Sequence, residues 1–184
     1  RRWHDTFISA NDGGSGVALL MEMANHVKDV DLNVGVVFVF FDGEEYVFDE
    51  GDEYFFGSKE FARQYAKNKE KTHYVGAVLL DMVGGKNAKF PVEKNSFWKA
   101  PDLARDVWTT ADALGCTAFR SQEFSRFAVQ DDHLPLNAAG IPTVDIIDFS
   151  YPHWHRLTDT PENCSGDSLE QVARVLGVWV QRLK

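Results

Sequence analysis

The run Val34 to Phe41 constrains this chain most: apolar residues interrupted only by Gly35, ending abruptly in Asp42-Gly43-Glu44-Glu45. A run of valines and phenylalanines of that length is too short for a membrane span, which needs about 18 to 20 apolar residues. Its unbroken apolar character suits a strand buried on both faces, as in a parallel sheet covered by helices. The acids then fall at the strand's carboxyl end.

The rest of the chain alternates in the same manner. Val17, Leu20, Met21, Ala24 and Val27 recur at helical spacing after the Gly13-Gly14-Ser15-Gly16 turn. Ser58 to Lys67 reads as a helix, and Tyr74 to Leu80 as a second buried strand running into Asp81. Pro101 opens a helix through Leu114, since a first turn tolerates proline. A short strand spans Pro142 to Ile147, and a last helix spans Ser168 to Leu183, capped by Asp167 with Glu170 three residues on. The expectation is a three-layer α/β sandwich with a mostly parallel central sheet, forming one domain over residues 1–184. Ligands of such sheets gather beyond the carboxyl ends of the strands, where Asp42, Glu44, Glu45 and Asp81 fall.

Composition narrows the partners. Of 184 residues, 44% are hydrophobic, enough for a full core. The 19 basic and 28 acidic residues give a formal charge of −9, which argues against nucleic acid. The basic residues between Arg63 and Lys71 alternate with polar ones, as on the wet face of a helix. Cys116 and Cys164 lie far apart and make neither a disulfide framework nor a thiolate metal site, although a single bridge between them stays open. Without a membrane span, a soluble protein is expected. The start at Arg1-Arg2-Trp3 reads as a processed or truncated end.

Two adjacent glutamates at the edge of an apolar strand repel each other and lose solvation, which a divalent cation would relieve. Neighbours in extended chain point to opposite sides, so one could bind a metal while the other faces a bound water. The pair is equally at home at an ordinary solvated strand end. Asn11-Asp12-Gly13-Gly14, taken alone, is better read as an Asx turn or helix cap. Asp81 is as readily a strand-end acid as a ligand. His153-Trp154-His155 is more often surface or packing than metal site, although an acid or hydroxyl after it, as in Thr158-Asp159, can orient a ligand imidazole. Asp131-Asp132-His133 reads alone as the cap of a short helix to Ala139. Together, at strand ends and turns of one small domain, these groups point to a catalytic metal site.

In order and spacing, Asn11-Asp12-Gly13-Gly14-Ser15-Gly16, Phe41-Asp42-Gly43-Glu44-Glu45, Leu80-Asp81-Met82-Val83-Gly84 and His155 before Asp159-Thr160 resemble the motifs of the bacterial leucyl aminopeptidase and glutaminyl cyclase family of zinc enzymes. The resemblance spans nearly the whole chain. It implies zinc, one or two ions, held by Asp12, Glu45 and His155, with Glu44 as general base. Asp81 would bind a second zinc in aminopeptidase members, or join a hydrogen-bond network around one zinc in cyclases. Asp131, Asp132 and His133 resemble a segment of the cyclase branch, Asp131 with a catalytic part and Asp132 and His133 toward substrate, while Trp154 resembles a tryptophan lining the cyclase pocket.

Two departures stand out. The His-x-Asp motif of two-zinc members is absent, the nearest candidate being His4 beside Asp5, and the family's amino-terminal strands are missing. Glu50 falls roughly where animal cyclases carry a second pocket tryptophan. The implied activity is a metallo-aminopeptidase acting at peptide amino termini, with a glutaminyl-peptide cyclotransferase as the alternative and a non-catalytic peptide- or metal-binding domain as the reading of another class. A secreted or periplasmic location follows from the resemblance alone.

Overall fold

The structure is a computed structural model that describes residues 6–184. Helix α1, Gly14–Val27, follows the glycine turn, and Gly16 is where it meets the sheet: an added Cβ would stand 2.4 Å from the Leu80 carbonyl oxygen. Helix α2, Phe56–Lys67, precedes strand β1, Ala77–Asp81, whose apolar side chains lead directly into Asp81. Strand β4, Thr143–Ile147, pairs in parallel with β1 from Ala77 opposite Thr143 to Asp81 opposite Ile147, and is buried at every position. The two strands therefore end together, which sets the level of the site.

Between β1 and β4 run elements that periodicity did not mark. Strand β2, Phe90–Val92, is short and contains proline; helix α3, Lys94–Lys99, is polar; strand β3, Phe119–Phe124, carries an exposed polar end. Tertiary contacts hold them. Strands β2 and β3 pair in parallel, and Glu93 caps α3 by accepting from the Asn95 and Ser96 amides. Helix α4, Pro101–Ala113, starts at proline as expected, and helix α5, His133–Ala139, stands where a short helix was expected, with Asp132 at its cap position but no capping bond from that side chain. The last helix, α6, Gly166–Arg182, starts earlier than expected: Ser165, not Asp167, is the cap, accepting from the Asp167 amide.

Helices α1, α4 and α6 share one layer and pack Leu19, Val107, Trp108, Val172 and Val175 against the strands. Helices α2 and α5 pack on each other in the opposite layer. Trp108 donates its indole N–H to the Phe90 carbonyl at 2.9 Å, so this core side chain leaves no buried donor unpaired. The three-layer parallel α/β arrangement matches the expectation.

Val34 to Phe41 differs. It is neither helix nor strand and joins no ladder among the described residues, and Val37 and Phe40 are 59% and 52% exposed. An apolar sequence prepares a segment for burial between neighbours, but only a strand alongside supplies the backbone bonds that make it a sheet member. Both cysteines are free thiols, which closes the alternative of a bridge between them. Among the described residues no helix is long and apolar enough to cross a membrane.

Candidate active site

Asp12 sits in a turn tied down on several sides. The buried Asp159 carboxylate accepts the Asn11 and Asp12 amides at 2.9 and 3.0 Å and the Tyr151 hydroxyl at 2.9 Å. The Asn11 side-chain oxygen accepts the Gly84 amide at 2.7 Å, and the Ser15 hydroxyl links the Asn11 carbonyl to the Val83 amide. Gly84 has no room for a side chain, since an added Cβ would lie 2.8 Å from Ser15 Cβ. Gly13, at φ 86°, makes the sharp turn into α1 that a Cβ would strain. The Asn-Asp-Gly-Gly sequence thus becomes a rigid mount on the end of β1.

Glu44 and Glu45 are held from the other side. Phe55, Phe56 and Gly57, at the start of α2, donate their amides to the carbonyls of Glu44, Gly43 and Asp42. Gly57 is required there, because an added Cβ would fall 2.7 Å from the Asp42 carbonyl oxygen. His155 reaches in from the third side with a left-handed backbone, φ 56°, a strained conformation of the kind that concentrates at functional sites. Its Nε2 stands 2.8 Å from Glu45 Oε1 and 3.6 Å from Asp12 Oδ2.

These three side chains bring two carboxylates and one imidazole to one point. Tetrahedral zinc with nitrogen and oxygen donors at about 2.0 to 2.2 Å keeps those donors roughly 3.3 Å apart. The observed 2.8 and 3.6 Å bracket that spacing. The donor set fits zinc once the His155–Glu45 pair opens by about half an ångström. As they stand, no three metal-binding side chains among the described residues are already spaced for an ion. Burial and the charge of Glu45 push the Asp12 carboxyl above its usual range.

Glu44 is the most informative group. Burial, then the charges of Asp131, Glu45, Asp132 and Asp12, push its carboxyl up to about 8. Asp81 and Asp131 are also pushed well above the carboxylate range, each by burial first, Asp81 next by Asp12 and Asp131 next by Asp81. Burial and mutual repulsion thus shift three neighbouring carboxyl groups in the same direction, toward the range in which a general acid–base residue works.

The structure separates the other expected residues. Trp154 lies on His155, ring centroids 4.2 Å apart, and is 39% exposed beside Phe149. Asp132 is buried and accepts the Ser58 hydroxyl, fastening α5 to α2. His133 has no exposure: its Nε2 is 3.4 Å from Glu93 Oε2 and its Nδ1 is 3.9 Å from Asp145 Oδ2. Asp132 and His133 are thus buried, and both line the same cavity as Asp12, Glu44 and Asp81. Glu50 is exposed on the loop after the glutamates. His4 and Asp5 lie outside the described residues.

Sequence reasoning passed over Glu93 and Asp145 and assigned Asp159 a different task. Burial alone would raise Glu93, but the His133 imidazole and the amides of Asn95, Ser96 and Val129 outweigh it and hold the carboxyl down to about 2. Asp145 was legible as the lone acid inside the apolar run Pro142 to Ile147. Glu93 caps α3 locally through the Asn95 and Ser96 amides, but nothing in the sequence marks its distant partners, the Val129 amide and His133. The expectation that Asp159 or Thr158 orients the His155 ring is corrected: Asp159 binds the Asp12 turn, and Thr158 meets His153 Nδ1 at 2.8 Å.

Two carboxylates and an imidazole thus converge beside a glutamate whose carboxyl is raised by burial and neighbouring acids. The model of peptidase family M28 matches residues 3–180. The chain belongs to peptidase family M28. It is 26% identical over 206 residues to a glutaminyl-peptide cyclotransferase of Boiga irregularis, covering 95% of this chain and 55% of that protein. An aminopeptidase of Bacillus subtilis is 27% identical over 88% of this chain and 35% of its own length. Among solved structures, the glutaminyl cyclase of Fimbriiglobus ruber superposes with a TM-score of 0.93 and 48% identity, over 99% of this chain and 64% of that one. A leucine aminopeptidase precursor from Bacteroides thetaiotaomicron gives 0.86 and 30%, over 98% and 64%. The chain therefore spans about half the length of the curated relatives it matches.

Proposed function

We propose that this M28 chain carries the active site of a zinc-dependent glutaminyl cyclase, which closes an amino-terminal glutamine into pyroglutamate and releases ammonia. The observation that carries this reading is Glu44, a carboxyl raised to about 8 at the meeting point of Asp12, Glu45 and His155. Likeness to the Fimbriiglobus cyclase, at 48% identity over nearly the whole chain, supports cyclisation over hydrolysis. It reverses the order in which the motifs alone ranked the two.

Asp12, Glu45 and His155 would hold zinc, which when bound polarises the carbonyl of the substrate's side-chain amide. Glu44, ionising more readily once positive charge sits beside Glu45, takes a proton from the α-amino nitrogen. That nitrogen forms its bond to the amide carbon. Glu44 then returns the proton to the amide nitrogen, which departs as ammonia. Since the nucleophile belongs to the substrate, the protein's task is to hold the two ends together. The charge of Asp131 helps to raise Glu44, and Trp154 offers an aromatic wall next to His155. A secreted or periplasmic location belongs to the same proposal.

A second reading, aminopeptidase, is favoured by the Bacteroides leucine aminopeptidase precursor and the Bacillus aminopeptidase. There Glu44 would take its proton from water and give it to the leaving amine. Incubating the zinc-loaded full-length protein with one peptide beginning in glutamine and one beginning in leucine separates the two. Loss of ammonia from an otherwise intact glutamine peptide is expected. Removal of leucine, with the glutamine peptide unchanged, would establish the second reading instead.

A further inference from the structure

Asp131 belongs to neither helix nor strand. It lies in the short segment from Val129 to His133 that runs into α5, is buried, and lines one cavity with Asp12, Glu44 and Asp81. Of the neighbouring charges that act on Glu44, that of Asp131 is the largest. Both ends of the segment meet a single buried carboxylate, Glu93. Its Oε1 accepts the Val129 amide at 2.8 Å, and its Oε2 stands 3.4 Å from His133 Nε2. The second distance is long for a hydrogen bond, so that end is held by a polar contact in a dry interior. Asn95 strengthens the first end by donating its side-chain amide to the Val129 carbonyl at 2.7 Å.

Glu93 is in turn fixed to the sheet. The Ser96 hydroxyl donates to Glu93 Oε2 at 2.9 Å and accepts the Asp145 amide of β4 at 2.9 Å. The Val129 side chain packs with Met82 and Ile147, beside the ends of β1 and β4. Across the segment, Asp132 accepts the Ser58 hydroxyl of α2, the helix whose start binds the carbonyls of Asp42 and Gly43. The segment thus runs from the frame of β4 to the arm that carries Glu44. We propose that Glu93 is a positioning residue for the reaction: by holding both ends of the Val129–His133 segment it keeps Asp131 set against Glu44. Glu93 itself is fully buried outside the cavity lining, so it acts through Asp131. The inference rests on the reading of Glu44 as the proton carrier. A carboxylate suits the task because both oxygens accept: Oε1 takes the Asn95 and Val129 amides, and Oε2 the Ser96 amide and hydroxyl. Glutamine has one accepting oxygen and cannot serve both sides.

The test is a double-variant cycle on the zinc-loaded full-length protein: Glu93→Gln, Asp131→Asn and the pair. Glu93→Gln should lower kcat on the glutamine peptide about tenfold with KM and bound zinc unchanged, as a slight misplacement at the reacting centre does. In the Asp131→Asn background the same change should lower kcat no further. Losses that multiply, or a fall in bound zinc that tracks the fall in kcat, would give Glu93 a general structural role and overturn the proposal, as would an unchanged kcat. If leucine is released instead of ammonia, the cyclase reading fails and the cycle is read on leucine release, so the two ideas fall separately. Hydrogen exchange reads the hold without any activity. Amides 129–133 should exchange about tenfold faster in Glu93→Gln with those of α6 unchanged, and equal rates in variant and parent would refute the hold. Where α6 loosens too, His133→Phe frees one end and leaves the α3 cap; it must speed residues 129–133 alone, and no such local change would sink the proposal.

Discussion

Asp12 and Glu45 bring carboxylates to the same imidazole from two differently built arms. The Asp12 arm is locked through buried side chains: Asp159, Asn11 and Ser15 satisfy its backbone and tie it to the end of β1. The Glu45 arm follows a segment with no ladder partner among the described residues and is steadied by backbone bonds from the start of α2 and by ring contacts such as Phe41–Phe61 and Tyr46–Phe56. The locked arm fixes where the site is. The hung arm can take up the small opening between His155 and Glu45 that zinc requires, because few packed side chains resist it.

The strongest way to sharpen this contrast is to silence the hung arm's chemistry while leaving its ligand. Glu44→Gln should lower turnover about a thousandfold, within the usual span for a lost general base, while metal analysis still finds zinc bound. Full turnover in the variant would remove Glu44 from the mechanism. Breaking the lock comes next: Asp159→Ala strips the partner from the Asn11 and Asp12 amides and the Tyr151 hydroxyl, which should cost about 3 kcal/mol in urea unfolding. A cost within error of zero would mean that the Asp12 turn holds itself.

Gly57→Ala strikes the hung arm, forcing α2 away from the Asp42 carbonyl. It should cost about 2 kcal/mol and weaken zinc binding in titrations, whereas unchanged affinity would show that α2 does not position Glu45. Ser58→Ala, behind both arms, removes one hydroxyl bond to Asp132; about 1 kcal/mol of stability should go with zinc affinity preserved. The gentlest probe is pH. Glu44 has its folded pKa raised from 4.5 to about 8, so between those values the folded state holds more protons than the unfolded one. Metal-free protein should therefore lose stability as pH rises through that window. The loss should shrink in Glu44→Gln, and an identical pH profile in the variant would assign the effect to other acids.

Much of the fold was legible because burial writes itself into periodicity. The apolar positions of α1, α4 and α6 and the continuous runs of β1 and β4 stand in the sequence because those elements face the core. Strands β2 and β3 and helix α3 did not, since Pro91, the polar end of β3 and the charges of α3 follow no local period and are stabilised by segments far along the chain. Val34 to Phe41 shows the reverse: its sequence is that of a buried strand, yet pairing depends on a neighbour. Within the site, Glu44, Glu45 and Asp81 were visible as acids at the ends of apolar runs, and Asp12 and His155 through the glycine turn and the His153-Trp154-His155 stretch. The links of Glu93 to Val129 and His133 and of Asp159 to the Asp12 turn were hidden, because those partners are distant in sequence.

The sequence by itself determined the alternation of elements, the acid pair after an apolar run and the glycines that let chain segments approach closely, since these follow from local sterics and from the cost of burying charge. Only the tertiary structure decided that Asp12, Glu45 and His155 meet, that Glu44 is driven up to about 8, and that Asp159 serves a backbone rather than an imidazole. Distance and desolvation set those outcomes, and both are properties of residues brought together by the fold rather than of their order along the chain.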